Sequence, residues 1–371
     1  MEALTPAFEA WRVFRLGGRE VVEALVLPAH RGPSRALAEA LAGWPGRWYW
    51  ADPEGGHLVL VRPVGAPLRE RWLFHALLFL LTIVCALGAG AALAGVPLPQ
   101  SAPFTGAVRF VERLVAGGWR ELAAGWPFAV PLLAILLVHE LGHYLAARRY
   151  GIDASPPYFL PVPPTLSPIG SFGAFLRLRS PVLDRLQLLD VGAAGPLAGF
   201  AVTLLVLAFG YAGSEVMEPG LDPARTYIVL AGERVVLGDS VLTLAMRALF
   251  RPGVASLQLS LPAFAGWVGA FVTALNLLPL SQLDGGHVVY ALFGRRQAGV
   301  GLLTLIGLLV LAQYSWNWYV WVAFSLLVGG GGWAHPAVVD PARPVRGKRR
   351  RIGWLALLVF GLTFVPIPFV Q

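Results

Sequence analysis

The chain has 371 residues, of which 56% are hydrophobic and only 13% charged, about half the charged share of a soluble domain. That balance excludes a water-soluble globular protein and indicates a polytopic α-helical membrane protein. The formal net charge of +8 points to a membrane surface and not to nucleic acid, and the single cysteine, Cys85, excludes an intrachain disulfide.

Residues 1–70 read as a small cytoplasmic α/β module. "WRVFRLGG" and "EVVEALVLPA" have strand composition, and "SRALAEALAGW" reads as an amphipathic helix with Ser34 as N-cap. "HLVLVRPV" is a further strand after a Pro-Glu-Gly-Gly turn at 53–56. No catalytic signature falls in this module. No cleavable signal peptide is expected, because the first twenty residues lack an apolar core.

Residues 71–371 read as a membrane-embedded domain of about seven spans, at 73–95, 126–147, 188–213, 262–280, 298–314, 316–334 and 352–370. With a cytoplasmic N-terminus, the inward segments 1–72, 148–187, 281–297 and 335–351 hold 22 of the 29 Lys and Arg residues, as the positive-inside rule requires. "RPVRGKRRR" (Arg343 to Arg351) reads as a topology anchor. Trp72, Trp126, Trp316, Trp318, Trp333 and Trp354 read as interfacial anchors. The stretch Pro156–Pro181, broken by Gly170 and Gly173, cannot be one continuous helix. Lipid-exposed irregular backbone is not tolerated at membrane depth. A re-entrant hairpin from the cytoplasmic side is therefore expected, with a loop lying at the interface as the alternative.

Within the second span, "LLAILLVHELGHYLAARRYG" places His139, Glu140 and His143 in apolar surroundings. A charged group at the centre of a bilayer costs about 3 kcal/mol, so three ionisable groups there call for a chemical reason. His139 and His143 are four residues apart, about 40° around a helix, and can share one metal ion. Glu140 points about 100° away and is free to hold a water. A His/His/carboxylate site open to water points to zinc, one per chain. A lone H-E-x-x-H arises by chance in soluble helices; inside an apolar span that explanation weakens. For the third ligand, Asp284 in "NLLPLSQLDGGH" follows the fourth span at the depth of His139 and His143. Asp190, at the mouth of the third span, reads as a structural or interfacial carboxylate. His287 is a further candidate ligand but reads as interfacial. His30, His57, His75 and His335 fall in the module or near span edges. Gly142 admits a close backbone neighbour, and Gly195 and Gly199 form a small-xxx-small scaffold.

Taken together, "HELGH" in one membrane helix, "GPLAG" in the next and "NLLPLSQLDGG" later resemble the site-2 protease family of intramembrane zinc metalloproteases. "PYFLPVPP…IGSFGAFLRLRSP" resembles its bacterial and plastid branch, and the likeness covers most of residues 130–290. The resemblance implies that His139, His143 and Asp284 are zinc ligands and that Glu140 is the general base. Asn276 and Pro279 then belong to the family's Asn-Pro-Asp-Gly region, together with Asp284 and Gly285. Asn276 is taken as catalytic, its amide positioning substrate or stabilising the oxyanion; an interhelical hydrogen bond is the other reading. The 214–261 segment has fewer than 50 residues, too few for the PDZ domain many members insert. The implied substrate is a single-pass membrane protein cut within the bilayer, and the implied location is a bacterial inner membrane. Oligomeric state is left open. Rival readings are a non-catalytic membrane module, either a metal transporter or a chaperone-like pseudoprotease, and a zinc enzyme acting on a soluble or lipid-linked substrate.

Overall fold

The computed structural model describes the chain except for residues 1–3, 17–18, 32–33, 53, 64–69, 98–102, 180–181, 183, 218–224, 231, 255, 337, 339–343 and 371. The first residue of the 53–56 turn, Pro181 and Arg343 thus lie outside the described residues. The N-terminal region folds as β1 (Phe8–Leu16), β2 (Arg19–Val26), α1 (Arg35–Ala42), β3 (Arg47–Trp50) and β4 (His57–Pro63), an antiparallel sheet of order β1-β2-β4-β3. Strand periodicity puts Val22, Ala24, Val26, Leu58 and Leu60 on one face, where they pack with Leu37 and Leu41 of α1 and with Trp44. β3, "RWYW", is too short to stand out in the sequence. Ser34 occupies the N-cap position of α1, but its hydroxyl meets His30 Nδ1 at 3.2 Å and makes no cap hydrogen bond.

Ten further α-helices follow among the described residues. The helices are α2 (Trp72–Leu93), α3 (Pro103–Val115), α4 (Trp126–Arg149), α5 (Arg185–Ala212), α6 (Val241–Phe250), α7 (Leu261–Asn276), α8 (Asp284–Phe293), α9 (Gln297–Leu311), α10 (Asn317–Val328) and α11 (Gly347–Thr363). Each of the seven expected spans contains a helix. Among the described residues, four helical stretches are long and apolar enough to cross a membrane: 72–93, 118–149, 185–212 and 284–311. α7 and α10 are apolar but shorter, and α11 opens on basic residues.

The chain turns at 277–283, and α8 then packs against α5 and α11. Two expectations need correction. The segment 352–370 is not helical to its end. Trp318 is fully buried, its indole N–H donating to the Pro366 carbonyl at 2.7 Å; it fills the core, while Trp72, Trp126, Trp316 and Trp354 are exposed.

The proline-rich stretch contains an antiparallel hairpin, β5 (Tyr158–Pro161) with β6 (Ser171–Phe175), in which Tyr158 faces Phe175 and Phe159 faces Ala174. Its root is closed by backbone bonds from Arg179 N to Asp153 O (2.8 Å) and from Ser155 N to Arg177 O (3.0 Å). It lies against α2: the Phe79 and Phe159 rings are 4.6 Å apart, and His75 Nδ1 meets the Pro157 carbonyl at 3.1 Å. His75, a residue without an evident role in the sequence, therefore ties α2 to the hairpin. Glu70 ion-pairs with Arg179 at the hairpin root, and this hydrogen bond raises the guanidinium above its ordinary pKa.

Four strands between α5 and α7 belong to a second sheet: β7 (Glu215–Val216), β8 (Thr226–Leu230), β9 (Glu233–Leu237) and β10 (Leu257–Gln258). The C-terminal β11 (Phe369–Val370) completes it in the order β11-β9-β8-β10-β7. The main core runs from this sheet through α2, α4, α5 and α7, and includes Phe128, Leu132, Leu207, Tyr211 and Trp267.

Candidate metal centre

α4 and α5 approach closely because small residues line their contact. A Cβ built on Gly142 would meet the Ala194 carbonyl oxygen at 2.6 Å and the Gly195 Cα at 3.0 Å. On α5, a Cβ at Gly195 would fall on the His143 ring, one at Gly199 would meet His139 Cβ at 3.1 Å, and one at Gly192 would meet His287 Cβ at 2.7 Å. These glycines are spaced three and four apart and share one helix face. They provide the space in which the imidazoles sit, which is more than the scaffolding role expected of Gly195 and Gly199.

His139, Glu140 and His143 are all buried, with 5%, 5% and 8% of their surface exposed. The His143 Nδ1–H donates to the Val191 carbonyl at 2.7 Å. That bond fixes the tautomer and leaves the Nε2 lone pair pointing at His139 Nε2, 3.1 Å away. Asp284, the first residue of α8, brings Oδ2 to 3.4 Å from His139 Nε2 and 3.2 Å from His143 Nε2. One donor atom from each of the three residues lies within 4.8 Å of the others. Ligand atoms bound at about 2.0–2.1 Å to a tetrahedral zinc stand about 3.3 Å apart, so the donor set and its spacing fit that ion. The Asn276 amide nitrogen, at the end of α7, lies 3.3 Å from His139 Nε2. Glu140, the next residue after His139 on α4, is buried beside them.

The other candidates lie apart from this cluster. Asp190 accepts a hydrogen bond from the Tyr150 hydroxyl and pairs with Arg349, so it joins α4, α5 and α11. His287 Nδ1 meets His335 Nε2 at 2.7 Å, in a partly buried pair. The Val191 carbonyl and Gly192 were missed in the sequence. Gly192 was recoverable from its i, i+3, i+7 spacing with Gly195 and Gly199, whereas a backbone carbonyl leaves no sequence signal.

A His/His/carboxylate cradle with a second carboxylate beside it, enclosed by apolar helices, is a candidate metal centre. The chain belongs to peptidase family M50, which it matches over residues 127–312, and is an integral membrane protein. It is 34% identical over 248 residues to the "Probable zinc metalloprotease EGY2, chloroplastic" of Oryza sativa subsp. indica, a match covering 65% of this chain and 42% of that protein. It is 32% identical over 251 residues to the "Probable zinc metalloprotease EGY1, chloroplastic" of Arabidopsis thaliana, covering 66% of this chain and 43% of that one. The matched part of this chain thus spans less than half the length of these relatives. No solved structure matches it. The relatives' names place them in chloroplasts and lend the bacterial inner-membrane expectation no support.

The contact between Gly195 and His143 can be tested directly. Gly195→Ala is expected to displace the ring and weaken zinc binding by at least about 10-fold. Gly361→Ala, where nothing lies within 4 Å of the new Cβ, is expected to leave it unchanged. Competition with a chromogenic chelator measures both; equal affinities in the two variants would contradict the packing described.

Proposed function

We propose that this chain is an intramembrane zinc metalloendopeptidase that cuts a single-pass membrane protein. The supporting observation is the convergence of His139, His143 and Asp284 in the apolar interior with Glu140 beside them. His139, His143 and Asp284 would hold the ion. When bound, zinc supplies Lewis acidity toward the scissile carbonyl and lowers the pKa of water. Glu140 accepts the proton of the attacking water and passes it to the leaving amine nitrogen. The His143–Val191 hydrogen bond keeps that imidazole oriented during these transfers. The Asn276 amide, aimed at the cluster, donates to the oxyanion or holds His139 in place. A metal transporter would spread its donors along a path across several spans; here they converge at one point, which favours the protease. Glu140→Gln retains the ligands but cannot take up the proton. It is expected to keep about one zinc per chain and to lose peptide hydrolysis by at least about 100-fold, whereas His139→Ala/His143→Ala loses the zinc itself. Metal analysis beside cleavage of a verified substrate reads both effects, and wild-type cleavage by Glu140→Gln would remove the base from the mechanism.

The proposed arrangement has about seven spans, a cytoplasmic module of residues 1–70 and a membrane-embedded domain of residues 71–371. The support is the charge distribution, with 22 of 29 Lys and Arg on the inward segments. Single cysteines introduced at residues 20 and 230 of a Cys85→Ala chain are expected to react with an impermeant maleimide from opposite sides, residue 230 from outside. Labelling of both from one side would refute the map.

Access for substrate is proposed to run along the hairpin. A helical peptide bond is shielded by its own turn, so the substrate unwinds locally, and its freed backbone groups need partners inside a membrane. β6, paired only with β5 among the described residues, offers a free edge for strand addition. Prolines placed singly across residues 172–176 remove one N–H each. At positions whose N–H faces outward they are expected to reduce cleavage by about 10-fold, the equivalent of one lost hydrogen bond of about 1.4 kcal/mol, with zinc content unchanged. Normal cleavage by every zinc-loaded proline variant would rule out the edge.

A further inference from the structure

Asp284 is the one member of the cluster that does not come from the α4–α5 pair. It sits after an irregular turn, residues 277–283, in which Ser281 adopts a positive φ of 42° while 1% exposed. Such a conformation in a non-glycine residue is held only by its surroundings. Glycines at the start of α8 let the turn fold tightly: a Cβ on Gly286 would meet the Leu280 carbonyl oxygen at 2.7 Å, and one on Gly285 the Leu278 carbonyl oxygen at 2.6 Å.

A distant segment secures this turn from both sides. Residues 333–336, which follow α10, cross over it. Ser281 N donates to the Trp333 carbonyl at 2.8 Å. Gln297, in the first turn of α9 and 1% exposed, uses its whole amide. Its Nε2 donates to Pro279 O at 3.1 Å and to Trp333 O at 3.2 Å, and its Oε1 accepts from His335 N at 2.7 Å. One turn beyond Asp284, the His287 and His335 rings meet at 2.7 Å. The direction of that bond follows from the other side of His335. Its Nδ1 faces the Pro336 carbonyl at 2.5 Å and must donate there, so its Nε2 accepts from the His287 Nδ1–H. The His335 ring also stacks on Tyr290 at 4.6 Å.

The structure assigns Gln297 and His335 as positioning residues for Asp284: Gln297 holds the backbone ahead of it, at Pro279 directly and at Ser281 through the shared Trp333 carbonyl, and His335 holds the helix turn after it, at His287. The assignment rests on the reading of Asp284 as a metal ligand. Neither residue touches the cluster; each acts through the place where α8 begins. A buried amide with all three of its bonds made holds a unique geometry; removing its donors leaves the Pro279 carbonyl unpaired and the Trp333 carbonyl held by Ser281 N alone.

The test is the zinc affinity of the purified full-length chain, read by chelator competition, in a double-mutant cycle. Gln297→Glu keeps the shape and the acceptor for His335 N but loses both donors; His335→Phe keeps the stacking on Tyr290 but loses the acceptor for His287. Each is expected to weaken zinc binding by about 10–100-fold with the metal-free unfolding temperature close to wild type. In an Asp284→Ala background, where the ligand is already gone, neither is expected to weaken it further. Unchanged affinity in both single variants, or the same loss with and without Asp284, would overturn the assignment. If Asp284→Ala alone binds zinc like wild type, the ligand reading itself fails, and that outcome is distinct from the other two.

Discussion

The contact between the small residues of α4 and α5 sets the geometry on which the site depends. With Gly142 against Ala194 and Gly195, the two backbones come within side-chain-free distance. The imidazoles of His139 and His143 then occupy the space that side chains at Gly199 and Gly195 would fill. The same approach brings the Val191 carbonyl within 2.7 Å of His143 Nδ1. An interface built on larger residues would push the helices apart and leave that N–H without an acceptor inside an apolar bundle, where an unmade hydrogen bond costs about 1–3 kcal/mol. The polar site therefore depends on close packing. Small residues at helix contacts serve the same purpose in membrane bundles generally.

The histidine pair is presented by one rigid helix, but Asp284 and Asn276 lie on either side of a turn that ends α7 and begins α8. This division has a physical logic. A carboxylate on the same helix face as the histidines would have to be another i, i+3 or i, i+4 neighbour, and the three donors would then lie in a row. Bringing the third donor from a separate element lets it close the cluster from the opposite side. Its position then depends on the turn, and the turn is fixed by groups far away in the chain.

The histidine pair and its glutamate were legible in the sequence because helix periodicity alone places them, and because their setting makes them costly. Asp284 was reachable by matching depth along two helices. The start of α8 was not, since "SQLDGGH" carries turn residues and its two glycines read as a break; in the structure they let the first helical turn press against the Leu278 and Leu280 carbonyls. The second sheet leaves a weaker trace, since its strands lie between apolar spans, although "TYIVL" and "ERVVL" are β-branched runs of strand length. Trp318 shows the limit of the rule for interfacial tryptophans. Its indole finds an acceptor in the chain, the Pro366 carbonyl, and burial becomes cheaper than exposure.

The helix carrying the histidines is also held at both ends. At its start, a Cβ on Gly90 of α2 would meet Gly125 Cα at 2.8 Å, a backbone contact as close as the one at the site. At its finish, Tyr150 and Arg349 converge on Asp190, which joins α4 to α5 and α11. Arg19 of β2 donates to the Gly151 carbonyl just beyond the last turn. Cations at a helix C-terminus satisfy its unpaired carbonyls and its dipole, worth about 0.3–1 kcal/mol each. Arg148 and Arg149 add two more in that turn. The N-terminal sheet is thereby attached to the same helix end from which the hairpin departs, since Asp153 closes the hairpin root and lies beside both Arg19 and Arg179. Sheet, helix terminus and hairpin root thus share one set of charges.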